Sequence, residues 1–420
     1  MRLKTKIAGL CTIAVICGIA ALTWALQPAI APISSAAPMT NDPQMLTRGQ
    51  SVVALGDCMV CHTSNSGAPY AGGLPLRTPF GTIYSTNITP DPETGIGSWS
   101  LAAFRRAIRH GVSRDGHLLY PAFPYIHYTQ MTDKDIEAAY AYLMSRTPVN
   151  YTPPDNELPL PLRFRPSLAF WNMLYLRPGE RQTVPGADHQ IQRGHYLVNS
   201  LGHCASCHTA LNAIGGEAKA MLGGGTVDGW EAPSLTTLGS TKVAWTAKQL
   251  ESYLRTGLSA EHGAAKGPMR AVTERLAEAP QADVEAIARY IMSIQVTADA
   301  PLQQTASHNM PTQQGATLFA AACASCHSAS APMSASAQRP SLALSHSVNS
   351  DNPANLIQTM LGGVPWAVPH SAIYMPPFAD VLTDEQIISI AQYIRADIGK
   401  LPPWQDLPQK VVHARKEIHP

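Results

Sequence analysis

The pentapeptide Cys-x-x-Cys-His occurs three times in this chain. The copies are Cys58-Met59-Val60-Cys61-His62, Cys204-Ala205-Ser206-Cys207-His208 and Cys323-Ala324-Ser325-Cys326-His327. Two thiols at this spacing can each bond one vinyl group of a haem, and the next residue supplies an imidazole to the iron. A zinc or redox Cys-x-x-Cys would be followed by His only by coincidence, and three coincidences in 420 residues leave that reading almost no weight. The motifs therefore predict three covalently bound haem c groups. Cys58, Cys61, Cys204, Cys207, Cys323 and Cys326 are the expected attachment points, and His62, His208 and His327 the expected proximal iron ligands. A chain built this way is expected to carry electrons.

Six of the eight cysteines lie in these motifs, and the other two, Cys11 and Cys17, fall in an apolar N-terminal stretch. No thiol is left for a disulfide framework, so haem and core packing must stabilise the fold. Net charge is only +1 and no basic tract occurs, which argues against nucleic-acid binding. Two propionates on each haem would make the loaded protein mildly acidic. Residues Ile7 to Leu26 carry no charge and follow Arg2, Lys4 and Lys6. Length and flanking charge fit a transmembrane helix. The rival is a cleaved signal segment with its site at Ser34-Ser35-Ala36. Either way the haem domains are expected on the periplasmic side of the inner membrane.

Each motif follows a short helical segment expected to open near a glycine, at Gly49, Gly194 and Gly315. Each repeat closes with an amphipathic helix, at Asp135 to Leu143, Asp283 to Ile291 and Gln386 to Ile394, in which Tyr142, Tyr290 and Tyr393 align. Thr132 and Thr383 are candidate N-caps. A middle helix runs from Ser100 to Gly111 and from Thr246 to Gly257, with a shorter version ending at Gly363. Arg109 and Arg255 in these helices are equally suited to meeting haem propionates or to solvent. The predicted architecture is all-α and resembles three tandem class I cytochrome c domains. Its segments are an anchor or signal at 1–37, domain one at 38–150, a Pro- and aromatic-rich linker at 151–187, domain two at 188–296, a linker at 297–311, domain three at 312–402 and a tail at 403–420. The aromatic stretch Phe164 to Tyr175 is too apolar for a free linker and is expected to dock on a domain or a partner.

The sixth iron ligand sets a haem's potential and whether it binds small molecules. In repeat three Met375 lies in the rigid stretch Tyr374-Met375-Pro376-Pro377-Phe378, and in repeat two Met269 follows Gly267-Pro268. Met221 competes with Met269 but follows its haem motif too closely to reach the far face. Repeat one breaks the pattern, because Phe123 stands where a methionine is expected. His127 is the preferred substitute, which would give bis-histidine coordination. Met131 and an open site are the alternatives, with His110 and His117 as outside candidates.

The assembled residues resemble the triple-haem cytochrome c subunits of bacterial membrane-bound dehydrogenases. The likeness is carried by Thr78 to Asp91 with Gly95-Ile96-Gly97, by Tyr120 to Tyr125, by Gly229 to Leu235 and by Met375 to Phe378, and it spans about Gln44 to Lys400. It implies a non-catalytic subunit that passes electrons from a catalytic dehydrogenase subunit through three haems to ubiquinone in the membrane. Phe123, with His127 four residues on, is more similar to the branch that acts on aldehydes or nicotinate, in which the partners are a molybdopterin subunit and a small iron–sulfur subunit. The quinoprotein alcohol dehydrogenase branch usually has methionine at that position and is the runner-up. A haem enzyme using an open first haem, or a respiratory oxidase subunit, is a more distant reading.

Overall fold

The computed structural model describes residues 26–33, 42–179, 183–296, 313–328, 330–331, 341–364 and 374–418. Most of the expected membrane or signal segment, both of its cysteines and the whole of the second linker lie outside the described residues. Among the described residues no helix is long and apolar enough to cross a membrane. Two units form, Met1–Ser206 with Asn212–Glu217, and Cys207–Leu211 with Ala218–Pro420. The division falls inside the second Cys-x-x-Cys-His motif, whereas the sequence placed its breaks in the linkers.

In the first unit α1 (Pro43–Leu55) begins where the Asp42 side chain accepts from the Gln44 amide and Pro43 fills the first turn. The haem motif lies on the single turn α2 (Cys58–Cys61), and β1 (Pro75–Thr78) pairs antiparallel with β2 (Gly81–Tyr84). The Ser100 hydroxyl caps α3 (Leu101–His110), and Gly111 ends it in the left-handed region, at φ +61°. After the short α4 (Tyr125–Tyr128), Thr132 caps α5 (Asp133–Met144). Helices α1 and α5 cross at Gly49. A Cβ there would lie 2.2 Å from the Ala138 carbonyl oxygen and 2.6 Å from the Tyr142 Cβ. Gly49 therefore sits in the middle of its helix as a close-approach point and does not open it.

The linker at 151–187 belongs wholly to this unit. Glu157 exchanges backbone hydrogen bonds with Thr82 at 2.9 and 3.1 Å, extending the β1–β2 pair. Helix α6 (Leu168–Tyr175) buries Leu168, Ala169, Trp171 and Asn172 and leaves Phe170 and Met173 exposed. The aromatic stretch thus docks on its own unit along one face only. Helix α7 (His189–Tyr196) continues as a wider turn over Leu197–Leu201, and α8 (Ala205–His208) crosses the division between the units.

In the second unit β3 (Gly225–Val227) pairs with β4 (Trp230–Ala232). Helix α9 (Ala247–Thr256) opens with a capping box between Thr246 and Gln249 and stops at Gly257, at φ +70°. A two-residue pair, β5 (Leu258–Ser259) with β6 (Gly263–Ala264), leads into α10 (Pro268–Leu276) and α11 (Gln281–Ser293). The third repeat comprises α12 (Gln313–Ala322), α13 (Ala324–His327), α14 (Ala354–Gly362) and α15 (Asp384–Tyr393), the last with its own capping box at Thr383. Gly315 of α12 meets α15 as Gly49 meets α5, 2.3 Å from the Ser389 carbonyl oxygen. The tail folds as α16 (Leu407–Ile418), whose Leu407, Val411 and Ala414 are buried in the same core as Phe319, Ile357 and Ile390. The chain is helix-rich as expected, but the loops around the first two haem motifs close through short antiparallel pairs that an all-α reading omits.

Candidate functional site

Two of the three expected proximal histidines are oriented by backbone carbonyls. His62 Nδ1 lies 2.6 Å from the Thr86 carbonyl oxygen, and His208 Nδ1 lies 2.7 Å from that of Pro233. Each carbonyl can accept only from a protonated Nδ1, which leaves the Nε2 lone pair as the ligating group. Burial lowers the proton affinity of both rings, and a neutral imidazole is the form that binds iron. Burial also pushes the Cys58 thiol up to about 12 and the Cys323 thiol up to about 11. A redox Cys-x-x-Cys needs the opposite shift. None of the six motif thiols is in a disulfide.

In the third repeat, proximal and distal candidates share one apolar cavity, lined by Cys323, His327, Leu342, Met375, Phe378 and Leu382 among others. The Met375 backbone is pinned on both sides, donating to Val364 at 2.9 Å and accepting from it at 2.8 Å. Gly363, at φ +68°, turns the chain there, and a Cβ on it would lie 2.5 Å from the Met375 carbonyl oxygen. In the second repeat Met269 is half-buried near the start of α10, whereas its competitor Met221 is exposed.

The first two repeats share a turn that shows why the first site departs. Leu119 donates to the Gly111 carbonyl at 2.7 Å, and Ala265 donates to the Gly257 carbonyl at 2.7 Å. Counting on from these matched residues, Phe123 occupies the position of Met269. Its ring packs 5.5 Å from that of Tyr128.

His127, the expected substitute, contacts other protein groups in this structure. Its Nε2 lies 2.6 Å from Glu217 Oε1 and its Nδ1 3.3 Å from the Asn199 carbonyl oxygen. Both partners are acceptors, so each ring nitrogen faces a protein oxygen. His127 is a buried tie between α4 and the segment that follows the linker. His110 is exposed, and His117 pairs with Asp115 at 2.9 Å. Met131 remains. It is buried directly before the Thr132 cap. Leu382 stands in the same relation to the Thr383 cap, and Leu382 lines the cavity with His327.

Arg109 and Arg255 also differ from expectation, because their guanidinium groups are used within the protein. Arg109 donates to the carbonyls of Thr129 and Met131 at 2.7 and 2.8 Å, and Arg255 to those of Leu276 and Ala279 at 3.3 and 2.6 Å. Each arginine therefore braces the loop ahead of the closing helix. Helix α14 has no arginine, and in repeat three Arg415 of α16 supplies the brace, donating to the carbonyls of Ala379 and Leu382 and to Asp384. Sequence reading missed Arg415. Its signal was the absence of an arginine from Ala354–Gly362, which becomes visible only once the three repeats are aligned.

Three thiol pairs, each followed by an imidazole, and an apolar cavity that joins His327 to Met375 fit covalent haem c. Residues 311–394 match the family model described as cytochrome c oxidase, cbb3-type, subunit III. The chain is 35% identical to the fructose dehydrogenase cytochrome subunit of Gluconobacter japonicus, over 84% of this chain and 79% of that one. It is 36% identical to the cytochrome c subunit of the quinone alcohol dehydrogenase of Komagataeibacter europaeus, over 86% and 82%. It belongs to the cytochrome c subunits of dehydrogenases. Members of this family are electron-transfer subunits rather than catalytic ones, and a cytochrome c domain implies covalently bound haem c. The chain is also 45% identical to a nicotinate dehydrogenase subunit of Pseudomonas putida over 94% of its own length, and spans 34% of that longer protein.

Proposed function

We propose that this cytochrome subunit carries three haem c groups, one per repeat in three class I cytochrome c-like domains, and conducts electrons from a catalytic dehydrogenase subunit to ubiquinone at the periplasmic face of the inner membrane. The observation that carries the reading is the third-repeat cavity, in which Cys323, His327 and Met375 line one apolar space. Haem bound there would supply one-electron chemistry. His327 and Met375 would hold the iron, and the surrounding Leu342, Phe378 and Leu382 would exclude water. A methionine ligand and a dry pocket both raise the reduction potential. Met269 has the corresponding role in repeat two. In repeat one we assign the sixth position to Met131, supported by the Arg109 brace on its carbonyl and by the match to Leu382.

The proposed partners are a molybdopterin subunit and a small iron–sulfur subunit, with an aldehyde or an N-heterocycle such as nicotinate as the substrate class. The likeness to the nicotinate dehydrogenase subunit favours this branch over the quinoprotein alcohol branch. Purification of the native complex tests it. Molybdenum in stoichiometric amount is the expected result, and a quinoprotein partner without molybdenum would overturn the branch. Carrier function predicts low-spin spectra at every haem, and carbon monoxide binding to any haem without denaturant would contradict it.

A further inference from the structure

The cavity of repeat three contains one residue of repeat two. Lys266, three positions before Met269, lines it beside Cys323, His327 and Met375. The other polar groups around it are hydroxyls, from Ser345, Ser347 and Thr359, and no carboxylate is among the lining residues. Burial lowers the Lys266 ammonium to about 8, with no acidic neighbour to offset it. Lys266 is half-buried, and a cation drawn out of water without a counter-charge is costly, so proteins that keep one pair it. Among the described residues that line the cavity, none is an anion. Haem supplies one, because each macrocycle carries two propionates.

We propose that Lys266 is a haem-binding residue delivered in trans between repeats, its ammonium pairing with a propionate of the haem held by Cys323, Cys326 and His327. The loop Lys266-Gly267-Pro268-Met269 would then serve two haems, ligating the second iron through Met269 and anchoring the third macrocycle through Lys266. Gly267, at φ +51°, lets this loop turn tightly, since a Cβ there would lie 2.4 Å from the Trp230 ring. Other contacts hold the two repeats together on this side. Glu231 accepts from the Ser350 hydroxyl at 2.7 Å, and Lys242 Nζ donates to the carbonyls of Ala343 and Gly399 at 3.3 Å. A paired propionate stabilises the ferric form less than a bare one, so Lys266 raises the potential of the third haem.

The inference rests on the assignment of Met375 to the third haem, and the test separates the two. Redox titrations are run on the full haem-loaded chain and on the Met375→His, Lys266→Gln and Lys266→Arg variants. Met375→His marks the third haem by a large fall in one midpoint potential, and no fall there would refute the ligand assignment itself. Lys266→Gln is expected to lower the potential of that marked haem alone, while Lys266→Arg stays close to wild type. Unchanged potentials in Lys266→Gln, an equal shift of all three haems, or equal losses in the Gln and Arg variants would overturn the role of Lys266.

Discussion

Arg415 Nη2 donates to the carbonyl of Leu382 at 2.8 Å, so a residue of the last helix fixes the loop that precedes α15 and Met375's cavity wall. Charge-assisted bonds to backbone carbonyls contribute about 1.5–3 kcal/mol each. Arg415→Ala should lower stability by about 2–3 kcal/mol. It should also weaken the methionine-to-iron charge-transfer band of one haem. Thermal unfolding and the visible spectrum measure the two effects. Arg109→Ala and Arg255→Ala should each act in the same way on their own repeats.

His127 and Met131 make opposite predictions for the first haem. His127→Ala leaves the Glu217 carboxylate buried without its partner and should cost about 3 kcal/mol of stability, while the first haem keeps its potential. Met131→His should lower that potential and remove one methionine-to-iron band. A redox titration of the two variants side by side checks the assignment.

Gly49 and Gly315 should tolerate no side chain. A Cβ would lie 2.2 Å from the Ala138 carbonyl oxygen in the first case and 2.3 Å from that of Ser389 in the second. Either Gly→Ala change must separate two packed helices, at a cost of about 1–3 kcal/mol or more. Thermal denaturation should show the loss in each variant, and Gly239→Ala, where a Cβ would approach nothing nearer than 3.7 Å, serves as the control.

Glu231 gives the second unit an acid-sensitive contact. Burial alone would raise its carboxyl, but the Ser350 hydroxyl and the nearby His346 and Lys410 outweigh burial and hold it below the ordinary glutamate range. A carboxyl whose folded value is depressed adds stability above its unfolded value, and that stability is lost as pH falls through the folded one. Stability should therefore fall below about pH 4.5, and Glu231→Gln should flatten that part of the profile. Denaturant titrations between neutral and acid pH measure it.

What could be read locally in the sequence matches the structure. Ser100, Thr132, Thr246 and Thr383 cap their helices, and Gly111 and Gly257 end theirs, because each of these effects acts within four residues. The misreadings concern contacts made at long range. The contact of His127 with Glu217 was not legible, because the two lie 90 residues apart. Arg109 and Arg255 looked free for propionates because the carbonyls they brace lie beyond their own helices. Gly49 suggested a helix start, since an interior glycine costs about 1 kcal/mol, and only the crossing with α5 explains why that cost is accepted. Lys266 drew no attention because its cavity belongs to another repeat.

The central claim is three haems on one chain, one per Cys-x-x-Cys-His motif, and intact-mass measurement of the exported full-length protein tests it most directly. The account predicts a chain carrying three covalent haems, falling to two in each of the paired variants Cys58→Ala with Cys61→Ala, Cys204→Ala with Cys207→Ala and Cys323→Ala with Cys326→Ala. A wild-type chain that carries two haems or fewer under full haem supply, or a variant that still carries three, would contradict it.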